Sequence, residues 1–274
     1  MKKFAHNQLL PITLTLIICS SLIVLLWLEI TLLNHLTTEK ISLVVRPIDI
    51  LIGMTIYLKT SIDFAIYIGR LMSNNNSLSG RIAIELGTAI GNAAGTMIVL
   101  ALWIFFKDIH LLLAIMIILA ALVLFKLAEE GLEHVVDNQA NDKLNKVATQ
   151  LERDLNHLNR WFAPLINRII PQSNPHDGRK LSFWPLLALA ISVPFILGLD
   201  DFAGYVPLFN IVNVFGFAIG VFIGHMILNI CLYLSPRHTI AIVKNRLISL
   251  LGSVAFIGLA IWGLVEAFKL LAGH

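Results

Sequence analysis

The sequence predicts an all-α integral membrane protein with seven transmembrane helices: one N-terminal helix, then two inverted three-helix repeats. Three observations carry that prediction. Hydrophobic residues make up 57% of the 274 and charged residues only 14%, against ~45–50% and ~25% in ordinary soluble domains. Seven stretches reach the length of about 20 mainly apolar residues that a helix needs to cross a bilayer. The two halves of the chain also share a short pattern in the same order.

The predicted spans are 9–33, 47–71, 82–106, 109–131, 183–206, 211–234 and 247–271. The first follows Lys2 and Lys3, but it is too long for a signal-peptide core, and no small-x-small cleavage site comes after it; it reads as a retained helix. Connections that flank the spans carry Lys2, Lys3, Arg70, Arg81, Arg237, Lys244 and Arg246 on one side and Lys40, Arg46, Lys107 and Lys269 on the other. The positive-inside rule makes the first side cytoplasmic. The expected location is a cell inner membrane, with the N-terminus inside and the C-terminus outside.

Residues 137–181 form the one sizeable polar segment. In it Leu144, Val147, Leu151, Leu155, Leu158, Phe162, Leu165 and Ile169 recur every three or four positions, an amphipathic helix pattern. Asp142, Lys143, Glu152, Arg153, Asp154 and Arg160 occupy its charged face. The expectation is a helix on the cytoplasmic membrane surface, with Trp161 and Phe162 at headgroup level; a regulatory or dimerising helix is the alternative. The chain then divides into an N-terminal helix and loop (1–46), a first repeat (47–136), this linker (137–181) and a second repeat (182–274).

The repeat rests on three matches in register. Asp63–Ile68 reads DFAIYI and Asp201–Val206 reads DFAGYV. Gly87–Ile98 and Gly216–Ile227 share the pattern G-x-A-I-G-x-x-x-G-x-M-I. Glu129 and Glu266 follow Leu-Ala and Leu-Val late in their spans. Three spans per repeat is an odd number, so the second repeat enters the membrane inverted, a plan common among secondary transporters with a midplane site. The glycine ladders Gly87, Gly91, Gly95 and Gly216, Gly220, Gly224 permit close helix approach. They serve packing within the chain or, equally, against a second subunit in a homodimer.

Asp63 and Asp201 occupy matching positions inside apolar runs, where a carboxylate costs several kcal/mol or more and points to function. Oxygen ligands suit hard divalent cations, and a carboxylate can exchange such an ion for a proton. Asp200 is an adjacent ligand or a solvated residue at the outer mouth. Glu129 and Glu266 are further ligands or proton carriers. Lys59, four residues before Asp63, either neutralises it on the same helical face or lines the pathway. His225 and Asn229, one turn apart, are relay groups or interhelical hydrogen-bond partners, and Asn92 and Thr96 are pathway-lining on the equivalent face. Asp49, following Pro47, is expected to cap its helix, and Glu85 to sit near a positive helix start. Pro194 and Gly198 are expected to interrupt the fifth span.

The stretches TSIDFAIYI and LGLDDFAGY resemble the Asp motifs of the LysE (lysine exporter) superfamily, closest to its cadmium-resistance and TerC-type cation exporters. That resemblance covers residues 47–134 and 183–271. It implies a six-helix core and metal-cation export, with Asp63 and Asp201 as metal ligands and Asp200 beside them. The extra N-terminal span, the long linker and Lys59 depart from the pattern. The leading functional expectation is secondary-active export of a divalent metal cation by cation/proton antiport. An exporter of an amino acid or other small cationic solute is the alternative, and a non-transporting membrane scaffold a third reading. No nucleotide loop, nucleophile elbow or zinc-protease motif is present in the sequence, so neither an enzyme nor a cofactor is expected. Expected partners are the lipid bilayer and the transported ion or solute, with no nucleic acid.

Overall fold

Every element among the described residues is helical. The computed structural model describes residues 2–37, 40–133, 135–136, 143–169, 181–197, 205–209, 212–243 and 245–272. At 2–11, 62–63, 143–144, 163–169, 195–197 and 243 it describes the backbone and not the side chains. Five helices are long and apolar enough to span a membrane: α1 (Lys2–Leu36, apolar from Ile12), α4 (Leu78–Phe106), α5 (His110–Glu133), α8 (Val214–Leu234) and α10 (Arg246–Ala272). A bent pair, α2 (Pro47–Thr60) and α3 (Ile62–Asn74), passes the same test together as a sixth. The remaining elements are α6 (Lys143–Ile169), the short apolar α7 (Phe183–Leu197), a 3₁₀ turn at Val206–Leu208 and α9 (Pro236–Val243). This is a membrane-embedded helical protein.

One of the predicted spans is not a single helix. The second, 47–71, breaks at Ser61, and its two arms meet at 69°. The cause lies in the polar run Lys59-Thr60-Ser61: Thr60 Oγ1 donates back to the Tyr57 carbonyl at 3.1 Å. Ser61 N–H donates to the same carbonyl at 3.0 Å, and Ser61 leaves helical geometry at φ −81°, ψ 31°. Hydroxyl groups that bond to the preceding turn compete with the helix ladder and bend it. The fifth predicted span appears as α7, which runs through Pro194 to Leu197, with a separate helical turn at 205–208. Residues 198–204, and with them Gly198, lie outside the described residues.

The chain forms two compact units, each drawing on both halves of the sequence. The first gathers residues 1–101, 173–199 and 212–241. Its helices cross at glycines. A Cβ on Gly220 would fall on the Ile50 carbonyl and 2.9 Å from Met54 N, and one on Gly53 would strike the Phe217 carbonyl. The α2 and α8 backbones are therefore in direct contact, which any side chain at these two positions would prevent. Gly216 faces Asp49, and Gly224 faces Met54 and Tyr57. On α4, Gly87 approaches Leu187 and Ala190 of α7, and Gly91 approaches Ile191 and Pro194; Gly95 continues the row, buried. For the six glycines whose contacts are named here, the partner is another helix of the same chain.

The second unit gathers residues 102–172, 200–211 and 242–274. Ala121, Leu124, Phe125 and Ala128 of α5 pack with Phe256 and Ala260 of α10 and with Ala148 and Leu155 of α6. The amphipathic pattern of the linker is realised, but its buried stripe is narrower than the sequence suggests. Ala148, Leu151, Leu155, Asn159 and Phe162 turn inward. Val147 and Leu158 are exposed, and Trp161 is 79% exposed. Trp161 is thus free for the headgroup level, whereas Phe162 packs into protein. Leu144, Leu165 and Ile169 have side chains outside the described set.

Candidate functional site

Three helices of the first unit concentrate polar side chains where the hydropathy pattern alone would place lipid-like core. On α4, Glu85, Thr88, Asn92 and Thr96 follow one another at three- and four-residue steps, so they share one face of the helix. All four are buried, with none more than 3% exposed. His225 and Asn229 of α8 are fully buried, and α2 contributes Tyr57.

These groups form a continuous chain of hydrogen bonds across three helices. Tyr57 Oη lies 2.6 Å from His225 Nδ1. Asn229 Nδ2 lies 3.0 Å from His225 Nε2 and donates to Thr88 Oγ1 at 3.0 Å. Thr88 Oγ1 in turn donates to the Glu85 carbonyl at 3.2 Å, and Thr96 Oγ1 donates to the Asn92 carbonyl at 2.9 Å. With the Asn229 amide so oriented, Nε2 accepts, and the imidazole proton sits on Nδ1 and is donated to Tyr57 Oη. The ring is closed in by Tyr57 and Phe64, with centroids at 5.5 and 5.4 Å. A neutral imidazole held between two oriented partners is suited to passing a proton.

The helix break adjoins this chain. Phe64, whose ring meets His225, is the third residue of α3 and follows Asp63 directly. The backbone of Asp63 therefore stands at the start of α3; its side chain lies outside the described residues. Lys59 ends up in the last turn of α2, across the break from Asp63; the expected pairing of the two falls on a side chain outside the described residues. Asp200 and Asp201 lie outside the described residues altogether.

The other carboxylates singled out from the sequence are engaged elsewhere. Glu129, in the second unit, accepts a hydrogen bond from the Asn159 amide of α6, and the same amide reaches the Phe125 carbonyl at 3.3 Å. Glu266 is a third exposed and pairs with Lys269 at 3.7 Å. Asp49 is not the cap of α2: Arg46 holds that position. Asp49 sits in the first turn, buried, where the Arg46 guanidinium donates to it through two nitrogens at 2.6 and 3.1 Å.

Two acids went under-read. The third predicted span started at 82, which left Glu85 near a helix end; α4 starts at Leu78, which carries Glu85 into the third turn and the interior. Glu85 Oε2 is buried without a hydrogen-bond partner, as is Glu29 Oε2 on α1. Tyr57 and Thr88 also escaped notice, since neither type is unusual in an apolar helix. A four-step count of polar residues along 85–96 would have found Thr88. No family model, curated protein or solved structure matches the chain.

Proposed function

We propose that the chain is a secondary-active transporter that exports a divalent metal cation in exchange for protons. The observation that carries this reading is the buried chain Tyr57–His225–Asn229–Thr88, built from three helices and set against a broken span. A merely structural bundle has no use for so many polar groups away from water, since each costs free energy unless fully bonded. The heavy atoms accommodate both polarities: turning over the Asn229 amide lets Nε2–H donate to Oδ1 while Tyr57 donates to Nδ1. The Asn229 amide orients the ring and passes no proton itself, so transfer runs between His225 Nδ1 and Tyr57 Oη.

In this reading Asp63 and Asp201 ligate the cargo from the two repeats, with Asp200 beside them. The inverted-repeat plan and the LysE-superfamily resemblance belong to the same proposal. The glycine crossings support it: Gly87 packs on Leu187 and Gly216 on Asp49. Gly87 and Gly216 are equivalent in the repeat, and so are Leu187 and Asp49 when Asp63 is aligned with Asp201. The two crossings fall at equivalent positions of that alignment. An inner-membrane location with N-terminus and linker cytoplasmic completes the proposal.

The test is proton movement in proteoliposomes, read by an internal pH dye, as Mn²⁺, Cd²⁺, Ca²⁺ or lysine is added outside. A divalent ion should drive proton flux in the wild-type protein and fail to do so in Asp201→Asn. Flux unchanged in Asp201→Asn would falsify the mechanism, and a response to lysine alone would shift the cargo to an amino acid.

A further inference from the structure

We propose that Glu85 is the membrane-buried acid that binds and releases the exchanged proton, an inference that rests on the antiport reading. Its carboxyl is 1% exposed, and Oε2 has no partner among the described residues. It differs in this from the other carboxylates of the helices. Asp49 is held by Arg46, Glu129 by Asn159, Glu130 by Lys126 and Glu266 by Lys269. Glu29 shares the orphaned oxygen but is only half-buried.

The cation nearest Glu85 in sequence is bonded elsewhere through two of its three nitrogens. Arg81, one turn earlier on α4, donates through Nη1 to the Tyr233 carbonyl at 3.1 Å and through Nη2 to Asn76. Its guanidinium carbon lies 4.7 Å from the Tyr233 ring centre. The chain that runs from Tyr57 and His225 through Asn229 and Thr88 reaches Glu85 at its backbone carbonyl and not at its carboxyl. An ionised carboxylate in such a place is costly even on the mildest scale. Asn229 Oδ1 is a second buried acceptor without a partner, and Arg81 Nε is a buried donor without one among the described residues. A proton on Glu85 supplies a donor and cancels the charge in one step. It forms one O–H bond at the carboxyl and so replaces one of the two positive charges that a departing divalent cation removes.

Infrared spectroscopy of the full-length protein in lipid bilayers tests this directly. The wild type should show the carbonyl stretch of a protonated carboxylic acid, shifted by deuterium exchange. Glu85→Gln should lose that band, Glu85→Asp should keep it at a shifted frequency, and Glu29→Gln should leave it in place. A band that survives Glu85→Gln, or a wild type without one at any pH, overturns the assignment. Loss of the band in Glu85→Gln, together with wild-type vesicles that show no cation-driven proton flux, refutes antiport and leaves the protonated acid established. Flux that persists in Glu85→Gln overturns the carrier role alone.

Discussion

Replacing Tyr57 with Phe removes one oxygen from the centre of the first unit and almost no volume. His225 Nδ1 then loses a partner at 2.6 Å, and because the histidine is 0% exposed, water cannot take its place. Leaving a buried polar atom unsatisfied costs ~1–3 kcal/mol. At 1.4 kcal/mol per decade that is a roughly 5- to 150-fold loss in the folding equilibrium. Tyr57 has further contacts, so the single variant overstates the one bond. A double-mutant cycle with His225→Phe removes that excess, since the other contacts cancel around the cycle. Residues that share a bond couple by about 0.5–3 kcal/mol. The assay is reversible unfolding of the purified protein in mixed micelles, followed by tryptophan fluorescence, for wild type, both single variants and the double. A coupling energy within ~0.3 kcal/mol of zero, the noise of independent sites, would refute the bond and with it the relay.

Two further outcomes follow from the packing. Gly220→Ala should destabilise by ~1–3 kcal/mol, because its methyl group meets helix backbone that has no rotamer to move aside. Gly258→Ala, with nothing within 4 Å of the added carbon, should be neutral or stabilise by ~0.5–1 kcal/mol; the same unfolding titration compares them. Asn159→Leu should remove a bond to a carboxylate, ~1.5–3 kcal/mol, and free α6 from α5. Hydrogen exchange would show it as faster exchange confined to α6, and equal protection in the two proteins would contradict it.

Much of the helix inventory was legible in the sequence because apolar length is a local property. Five helices match predicted spans, with ends displaced by a few residues. Such displacements matter: a start at Leu78 rather than 82 turned Glu85 from a helix-end residue into an interior acid. His225 and Asn229 were legible as relay candidates because a His and an Asn one turn apart stand out in an apolar run. Their partners were not, since Tyr57 and Thr88 lie more than a hundred positions away along the chain. The glycine ladders announced close packing, but which helix each would meet is a matter of the whole arrangement.

What the sequence determined by itself is therefore what depends on neighbours along the chain: a membrane protein, its apolar helices, an amphipathic linker and two rows of glycines. Tertiary structure decided what depends on neighbours in space. It set the break at Ser61, where back-bonded hydroxyls compete with the ladder, and turned Phe162 inward while leaving Trp161 exposed. It also engaged Glu129 with Asn159 while leaving Glu85 Oε2 without a partner among the described residues. A carboxylate in a hydrophobic run looks the same in every span; only its surroundings say whether its charge is already answered.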